Sequence, residues 1–316
     1  MHQTLKGRPA VRDSVKIIVH GGAGSHADSP AERQNVLDEA AIEGVNESTP
    51  IQAVEAAINR LEASPRFNAG YGSVAQVDGQ IRTDAGMMTS ELDVGAVCSL
   101  QRVRHPVSVA RRVLDQTPHV LLSGDHADAF ADEFDLAMEA DETLHTDAVR
   151  EKHRAASPPK DLAARIEWVT EKFGTVDTDD TPRDHDTVGG VAVSDSGEIA
   201  AATSTGGRWF ALAGRVGDTP QVGAGFYADP AAGASATGAG EAISKSLLSN
   251  RAVRYVADGT HPSDAAQRAV AELKELTDDT AGIVIADRDG NVGSSFNSEQ
   301  MQTGTAVSDC GAGMPL

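Results

Sequence analysis

The chain is poor in residues that several common chemistries need. Its 316 residues include two cysteines, Cys98 and Cys310, too few for a disulfide framework or a paired-thiolate metal site. Cys98 lies in the apolar run Val94 to Leu100 and reads as a small core residue. The ten histidines are scattered without ligand-pair spacing. The turn Asp287-Arg288-Asp289-Gly290 lacks the ligand series and final glutamate of a calcium loop. Aromatic residues make up only 4%, so alanine, valine and glycine must fill closely packed core layers. No apolar run approaches the length of a membrane span, and Met1 to Ser14 is polar, without the apolar segment of a secretory signal. A soluble cytoplasmic protein is expected. Lysine is scarcest of all: of 27 basic residues seven are lysine, against 47 acidic residues and a net charge of −20. Such a surface repels nucleic-acid phosphate and anionic membranes, so neither is expected as a partner.

What is abundant is acid, and an acid-rich, lysine-poor balance resembles that of proteins from salt-in halophiles, where molar salt screens self-repulsion. Along the chain, Val15 to His20 reads as a strand ending in a glycine cluster, Gly21 to Gly24. Helical spacing covers Pro30 to Asn46, with Ser29 as the expected N-cap, and Ile51 to Ala63. Two strands, Val74–Val77 and Ile81–Met87, are expected around an Asp78-Gly79 hairpin turn. Then come a strand at Val94–Leu100, a helix at Pro106–Asp115, a strand at His119–Leu122 and a helix at Asp125–Phe134 whose acids read as a solvated face. Residues 140–186 lose periodicity apart from a helical island, Leu162 to Lys172, and read as a flexible linker. Beyond them, strands are expected at Val188–Val193 and Ile199–Thr203 and a loop with short strands over Gly206–Gly225. Helices at Gly240–Ala257 and Pro262–Leu276 and a hairpin, Gly282–Ala286 with Val292–Phe296, complete the order. Layered rather than strictly alternating α and β segments indicate an α+β sandwich with sheets inside and helices outside.

The stretch His185-Asp186-Thr187-Val188-Gly189-Gly190-Val191 joins the polar segment to a strand that opens on a threonine. A threonine opening a strand is ordinary, because β-branched residues favour strands. A threonine exposed by a cut at Asp186–Thr187 would be different, since its own α-amino group, with a pKa of about 7.7–8.0, is a base attached to the nucleophile.

Taken in order, HGGAG (20–24), FNAGYGS (67–73), TVGGVAV (187–193), ATSTGG (202–207), GRVGD (214–218), GAGFYAD (223–229) and ATGAGE (236–241) resemble the plant-type asparaginase and isoaspartyl peptidase family of N-terminal-nucleophile hydrolases, which includes the glycosylasparaginases. The resemblance implies a four-layer αββα sandwich, one domain cut into an α chain, 1–186, and a β chain, 187–316. It implies a dimer of αβ units, no organic cofactor, and a small-molecule substrate, L-asparagine or an isoaspartyl dipeptide. Thr187 matches the nucleophile, Thr205 the threonine that orients it, and Thr237 with the Gly238 N–H the oxyanion hole. Arg215 and Asp218 match a clamp for the α-carboxylate and α-ammonium groups, and Gly240 a substrate-side position. Asn68 matches an asparagine near the nucleophile. The backbone of Leu61, Glu62, Ser64, Phe67, Ala69 and Tyr71 matches a loop that binds sodium in some members.

Two positions depart from the pattern. Asp186 stands where isoaspartyl peptidases usually have glycine, and His185-Asp186-Thr187 is typical of glycosylasparaginases. Ala239 replaces the usual histidine of the TGHGE segment. A glycosylasparaginase-like amidase therefore remains an alternative, as does an uncut relative that binds a small ligand without turning it over.

Overall fold

The computed structural model describes residues 13–25, 29–138, 144–174 and 187–308. Among them the strands form one seven-stranded and one four-stranded sheet. The larger runs β11-β1-β5-β6-β2-β3-β4, from β1 (Val15–Gly24), β2 (Thr83–Thr89), β3 (Val94–Leu100), β4 (Leu121–Ser123), β5 (Val188–Ser194), β6 (Ile199–Thr205) and β11 (Gln300–Val307). The smaller runs β10-β9-β8-β7, from β7 (Phe226–Ala228), β8 (Ala232–Gly238), β9 (Ala281–Asp287) and β10 (Val292–Phe296).

Side-chain alternation with period two explains how strands buried on both faces choose their partners. On β1, Ile17 and Val19 join an apolar cluster with helices α1 (Pro30–Val45), α2 (Pro50–Glu62) and α3 (Pro106–Gln116), through residues such as Leu37, Ile58 and Val109, whereas Ile18 joins a second cluster. On β6, Ala200 and Ala202 belong to the first cluster and Ile199 and Ala201 to the second. That second cluster brings Val191, Val193 and Ile199 against Phe226, Val284 and Ala286 of the smaller sheet. The other side of β9, Ile283 and Ile285, packs with α7 (Gly240–Ser246), α8 (Leu248–Ala257) and α9 (Pro262–Thr277). Small residues let the sheets approach: a Cβ on Gly233 would stand 2.7 Å from Ile199 and 2.9 Å from Val191.

Several elements differ from expectation for identifiable reasons. Val74–Val77 is not a strand; it contributes one bridge, Ala75 to Ile81. Its backbone is used elsewhere, with Gln76 N–H donating to the Gln80 carbonyl across the turn and Val77 N–H to the Ala211 carbonyl. The expected helix over 240–257 breaks at Leu247, which adopts φ 51° between α7 and α8. Ser29 does precede the proline at the helix start, but it sits at φ 53° and its side chain caps nothing. Its backbone carbonyl accepts the Glu32 and Arg33 N–H groups instead. Residues 206–225 form no named strand, while β7, β8 and β11 had no expected counterpart. Within 140–186 a helix, α5 (Asp147–Ala156), precedes the expected island, α6 (Leu162–Gly174), and the remainder is partly outside the described residues. Helix α4 (Gly124–Glu133) is not wholly a solvated acid face, since buried Asp128 accepts the Gln101 and Arg102 N–H groups. Cys98 is buried on β3, and burial pushes its thiol up to about 11. Cys310 lies outside the described residues.

Candidate active site

Thr187 begins the central part of the larger sheet. Val188 of β5 pairs with Ser204 of β6 in antiparallel register, so the next pair outward is Thr187 with Thr205. Their hydroxyls lie 3.0 Å apart, and both residues are buried. The Gly207 N–H donates to Thr205 Oγ1 at 3.2 Å, so that oxygen is free to donate its proton toward Thr187. Asn68 buttresses the same segment: its side-chain amide donates to the Gly207 carbonyl at 2.6 Å, and its backbone carbonyl accepts the Gly206 N–H at 2.8 Å. Thr187, Thr205 and Asn68 are thus joined through residues 205–207. Asp186 lies outside the described residues.

His20 closes the other side. The Ser235 hydroxyl donates to the Ala202 carbonyl at 3.1 Å and lies 2.9 Å from His20 Nε2, an arrangement that suits Nε2–H as the donor. Burial pushes the imidazole down to about 3, against a smaller opposing effect of the Thr187 backbone beside it. The ring is therefore neutral across the physiological range, and its Nδ1 finds no partner of good hydrogen-bond geometry although the Thr187 backbone lies against the imidazole.

Thr237 and Gly238 end β8 in the opposite sheet. Thr237 is fully buried, and its Oγ1 accepts the Ala23 N–H at 3.3 Å, which ties it to the glycine cluster after β1. Gly238 has φ 131°, and a Cβ there would stand 2.7 Å from Ala281 Cα, so only glycine fits. Gly240 lies against both Arg215 and Asp218: a Cβ on it would meet Arg215 Nη2 at 2.7 Å and Asp218 Oδ1 at 2.8 Å. Arg215 and Asp218 form no ion pair with each other. Arg215 instead pairs with Glu241, while Asp218 Oδ2 is buried with no hydrogen-bond partner. Burial pushes the Asp218 carboxyl up to about 7, with Arg215 pulling the other way. A buried carboxylate lacking a donor is an arrangement that an ammonium group would complete.

Comparison with known proteins places the chain as a whole. A model of a protein family described as Asparaginase matches residues 13–312. The chain belongs to the asparaginase family. Among proteins of the same kind, it is 40% identical to the plant-type L-asparaginase of Pyrococcus abyssi, over 91% of this chain and 94% of that protein. It is 37% identical to the isoaspartyl peptidase/L-asparaginase of Danio rerio, over 92% and 91%, and 36% identical to the protein of that name from Rattus norvegicus, over 93% and 86%.

The asparaginase-family site contains residues that motif reading did not single out. Gln76 is buried and holds the Arg215 loop, its amide donating to the Arg215 carbonyl at 3.3 Å and its Oε1 accepting the Gly214 N–H at 3.0 Å. Arg82 steadies the same Oε1 at 2.7 Å. Asp84, opposite Thr205 in the β2–β6 register, accepts the Ser99 N–H at 2.8 Å, and burial pushes its carboxyl up to about 7. Gln76 was hidden in what read as a strand. Asp84 was visible only as one of two charged residues within the expected strand Ile81–Met87.

Proposed function

We propose that this asparaginase-family protein is an autoprocessing amidohydrolase acting on L-asparagine and on isoaspartyl dipeptides. The observation that carries the reading is the buried Thr187–Thr205 hydroxyl pair at the start of β5, in the sheet beside the Arg215–Asp218 pair. In the precursor, Thr187 Oγ1 attacks the Asp186 carbonyl carbon. The peptide C–N bond breaks, the Thr187 amine takes a proton, and water hydrolyses the ester. The freed amine then serves as base for its own hydroxyl. Arg215 and Asp218 hold the substrate's α-carboxylate and α-ammonium. Thr187 Oγ1 attacks the side-chain amide carbon, and the Thr237 hydroxyl and Gly238 N–H stabilise the oxyanion. Ammonia or the peptide amine leaves with a proton, and water cleaves the β-aspartyl ester.

The fold that goes with this chemistry is a four-layer αββα sandwich, one domain divided into 1–186 and 187–316 and assembled as a dimer of αβ units. The three apolar clusters, helix-to-sheet on each outer side and sheet-to-sheet between, support the layering. No helix among the described residues is long and apolar enough to cross a membrane, and a cytoplasmic location is proposed with that in view. The chemistry needs no organic cofactor. Sodium would be held by backbone carbonyls of Leu61, Glu62, Ser64, Phe67, Ala69 and Tyr71, steadying the loop that carries Asn68. Backbone approaches closely there: a Cβ on Gly70 would meet the Glu62 carbonyl oxygen at 2.5 Å and the Arg104 carbonyl oxygen at 2.6 Å. The Leu61 and Ala69 oxygens accept the Ser64 and Gly72 N–H groups with a lone pair to spare.

An intact mass under denaturing conditions, with an ammonia assay on L-asparagine, tests the reading. Two chains of roughly 19 and 13 kDa by length, the smaller starting at Thr187, and ammonia release are expected. A permanent single chain that binds asparagine without hydrolysing it would replace an enzyme with a binding protein.

Asp218 gives the reaction a pH dependence. It grips an ammonium only when ionised, and its carboxyl sits near 7 in the free site. KM for asparagine should therefore rise as pH falls below 7, by up to about tenfold per unit for a single proton. A flat KM between pH 6 and 8 would show that Asp218 is ionised throughout. The net charge of −20 carries a separate expectation. The screening length grows from about 3 Å at 1 M salt to about 30 Å at 0.01 M, so dialysis to low salt should lower the thermal midpoint. An unchanged midpoint would remove the halophilic reading.

A further inference from the structure

Arg215 gives its Nε and Nη2 edge to Glu241, at 2.9 and 2.8 Å, a two-pronged contact that fixes the plane of the guanidinium. Glu241 is the second residue of α7. The third nitrogen, Nη1, is turned away from Glu241. A Cβ on Gly217 would stand 2.8 Å from it, and one on Gly207 3.9 Å. Gly207 belongs to the segment that Thr205 and Asn68 hold beside Thr187. Glu241 therefore occupies one edge of the guanidinium and leaves another toward Gly217 and Gly207.

An ion pair with an exposed partner usually contributes little, and Glu241 has 51% of its side chain exposed. The surroundings decide otherwise. Arg215 is itself only 16% exposed, and the buried carboxylates of Asp84 and Asp218 both attract it. Asp218 Oδ1 and Arg215 Nη2 flank the same glycine, Gly240, and Asp218 Oδ2 has no partner. Without Glu241, the guanidinium has an unsatisfied buried carboxylate to turn to. An Arg215–Asp218 pair would fill the space that an amino-acid zwitterion needs and would neutralise both ends of the clamp.

We propose that Glu241 is a positioning residue for substrate recognition: it anchors Arg215 by one edge and keeps it apart from Asp218, so that the two remain available to the α-carboxylate and α-ammonium of the substrate. The inference rests on the amidohydrolase reading and refines its specificity. Because Glu241 acts on ground-state binding of the amino-acid head group, its loss should raise KM and leave the chemical step nearly untouched.

The test is a mutant cycle over Glu241→Ala, Arg215→Ala and the double variant, with Glu241→Gln as the conservative control and thermal midpoints to confirm folding. Hydrogen bonds to a charged group predict that E241A raises KM for L-asparagine about tenfold while kcat stays within about twofold. E241Q retains one acceptor for Arg215 Nε and should fall between the two. The double variant should be no worse than R215A, since the effect of Glu241 passes through Arg215. An unchanged KM in E241A, or additive losses in the double variant, would overturn the proposal. Calorimetric titration with L-aspartate supplies a readout independent of turnover. If the unmodified protein hydrolyses no asparagine, the amidohydrolase reading fails. The Glu241 proposal then stands or falls on whether E241A binds L-aspartate about tenfold more weakly or equally well.

Discussion

Thr187→Ala should yield one uncut chain of 316 residues that releases no ammonia from asparagine. Both losses have one cause in the proposed mechanism, where the same Oγ1 attacks first the Asp186 carbonyl and then the substrate amide. The structure makes the effect specific to chemistry. Thr187 is buried, but among the described residues its side chain makes a single hydrogen bond, to Thr205 Oγ1, so alanine removes a hydroxyl and a methyl without orphaning a charged group there. The stability cost should be about 1 kcal/mol, the ordinary scale for one hydrogen bond and a small cavity. The rate loss should be of the order seen when a covalent nucleophile is removed, about 10⁴-fold or more. Intact mass and an ammonia assay read the two consequences separately. Normal cleavage with normal turnover would remove Thr187 from the mechanism. Normal cleavage without turnover would separate the processing nucleophile from the hydrolytic one.

The candidate site was proposed from the sequence because its residues fall in glycine-marked segments that resemble the family's motifs. Thr187, Thr205, Arg215, Asp218, Thr237 and Gly238 stand at strand ends or in short loops, where residue type and local spacing reflect local geometry. What escaped was everything fixed by contacts distant along the chain. Gln76 looked like part of a hairpin because its neighbours Val74, Ala75 and Val77 are apolar; it became a brace for the Arg215 loop only when the chain brought position 214 to it. Ser235 had no local signal, and His20 stood in a recognised motif without a partner; their pairing joins opposite sheets. Pattern misled in a similar way at 240–257, where apolar spacing continues across Leu247 but the backbone turns left-handed. Arg215, expected with Asp218 as a clamp for substrate, illustrates the limit most sharply. Spacing put the two residues in one loop, yet Glu241, beyond the intervening strands β7 and β8, is the side chain that Arg215 holds.

Thr237→Ala should separate stability from catalysis in the opposite sheet. The Thr237 hydroxyl accepts the Ala23 N–H at 3.3 Å, so its proton remains available to an oxygen on the Thr187 side. As an oxyanion donor it matters most when negative charge develops on the amide oxygen, and losing one such donor typically lowers kcat by about 10²–10³. The same substitution leaves the Ala23 N–H without its acceptor in a fully buried position, a cost of about 1–3 kcal/mol in stability. KM should change little, because the ground-state amide oxygen carries little charge and, in the proposed mechanism, the amino-acid head group is held by Arg215 and Asp218. Self-cleavage at Thr187 provides a control within the same molecule. That reaction also passes through a tetrahedral oxyanion, but on a carbonyl placed by the chain itself rather than by a bound substrate. If T237A cuts normally yet loses hydrolysis, Thr237 faces only the substrate's oxyanion. If both reactions slow together, one oxyanion site serves the two. If kcat is unchanged while the thermal midpoint falls, the hydroxyl is an acceptor for Ala23 alone, and the negative charge must be met by other donors.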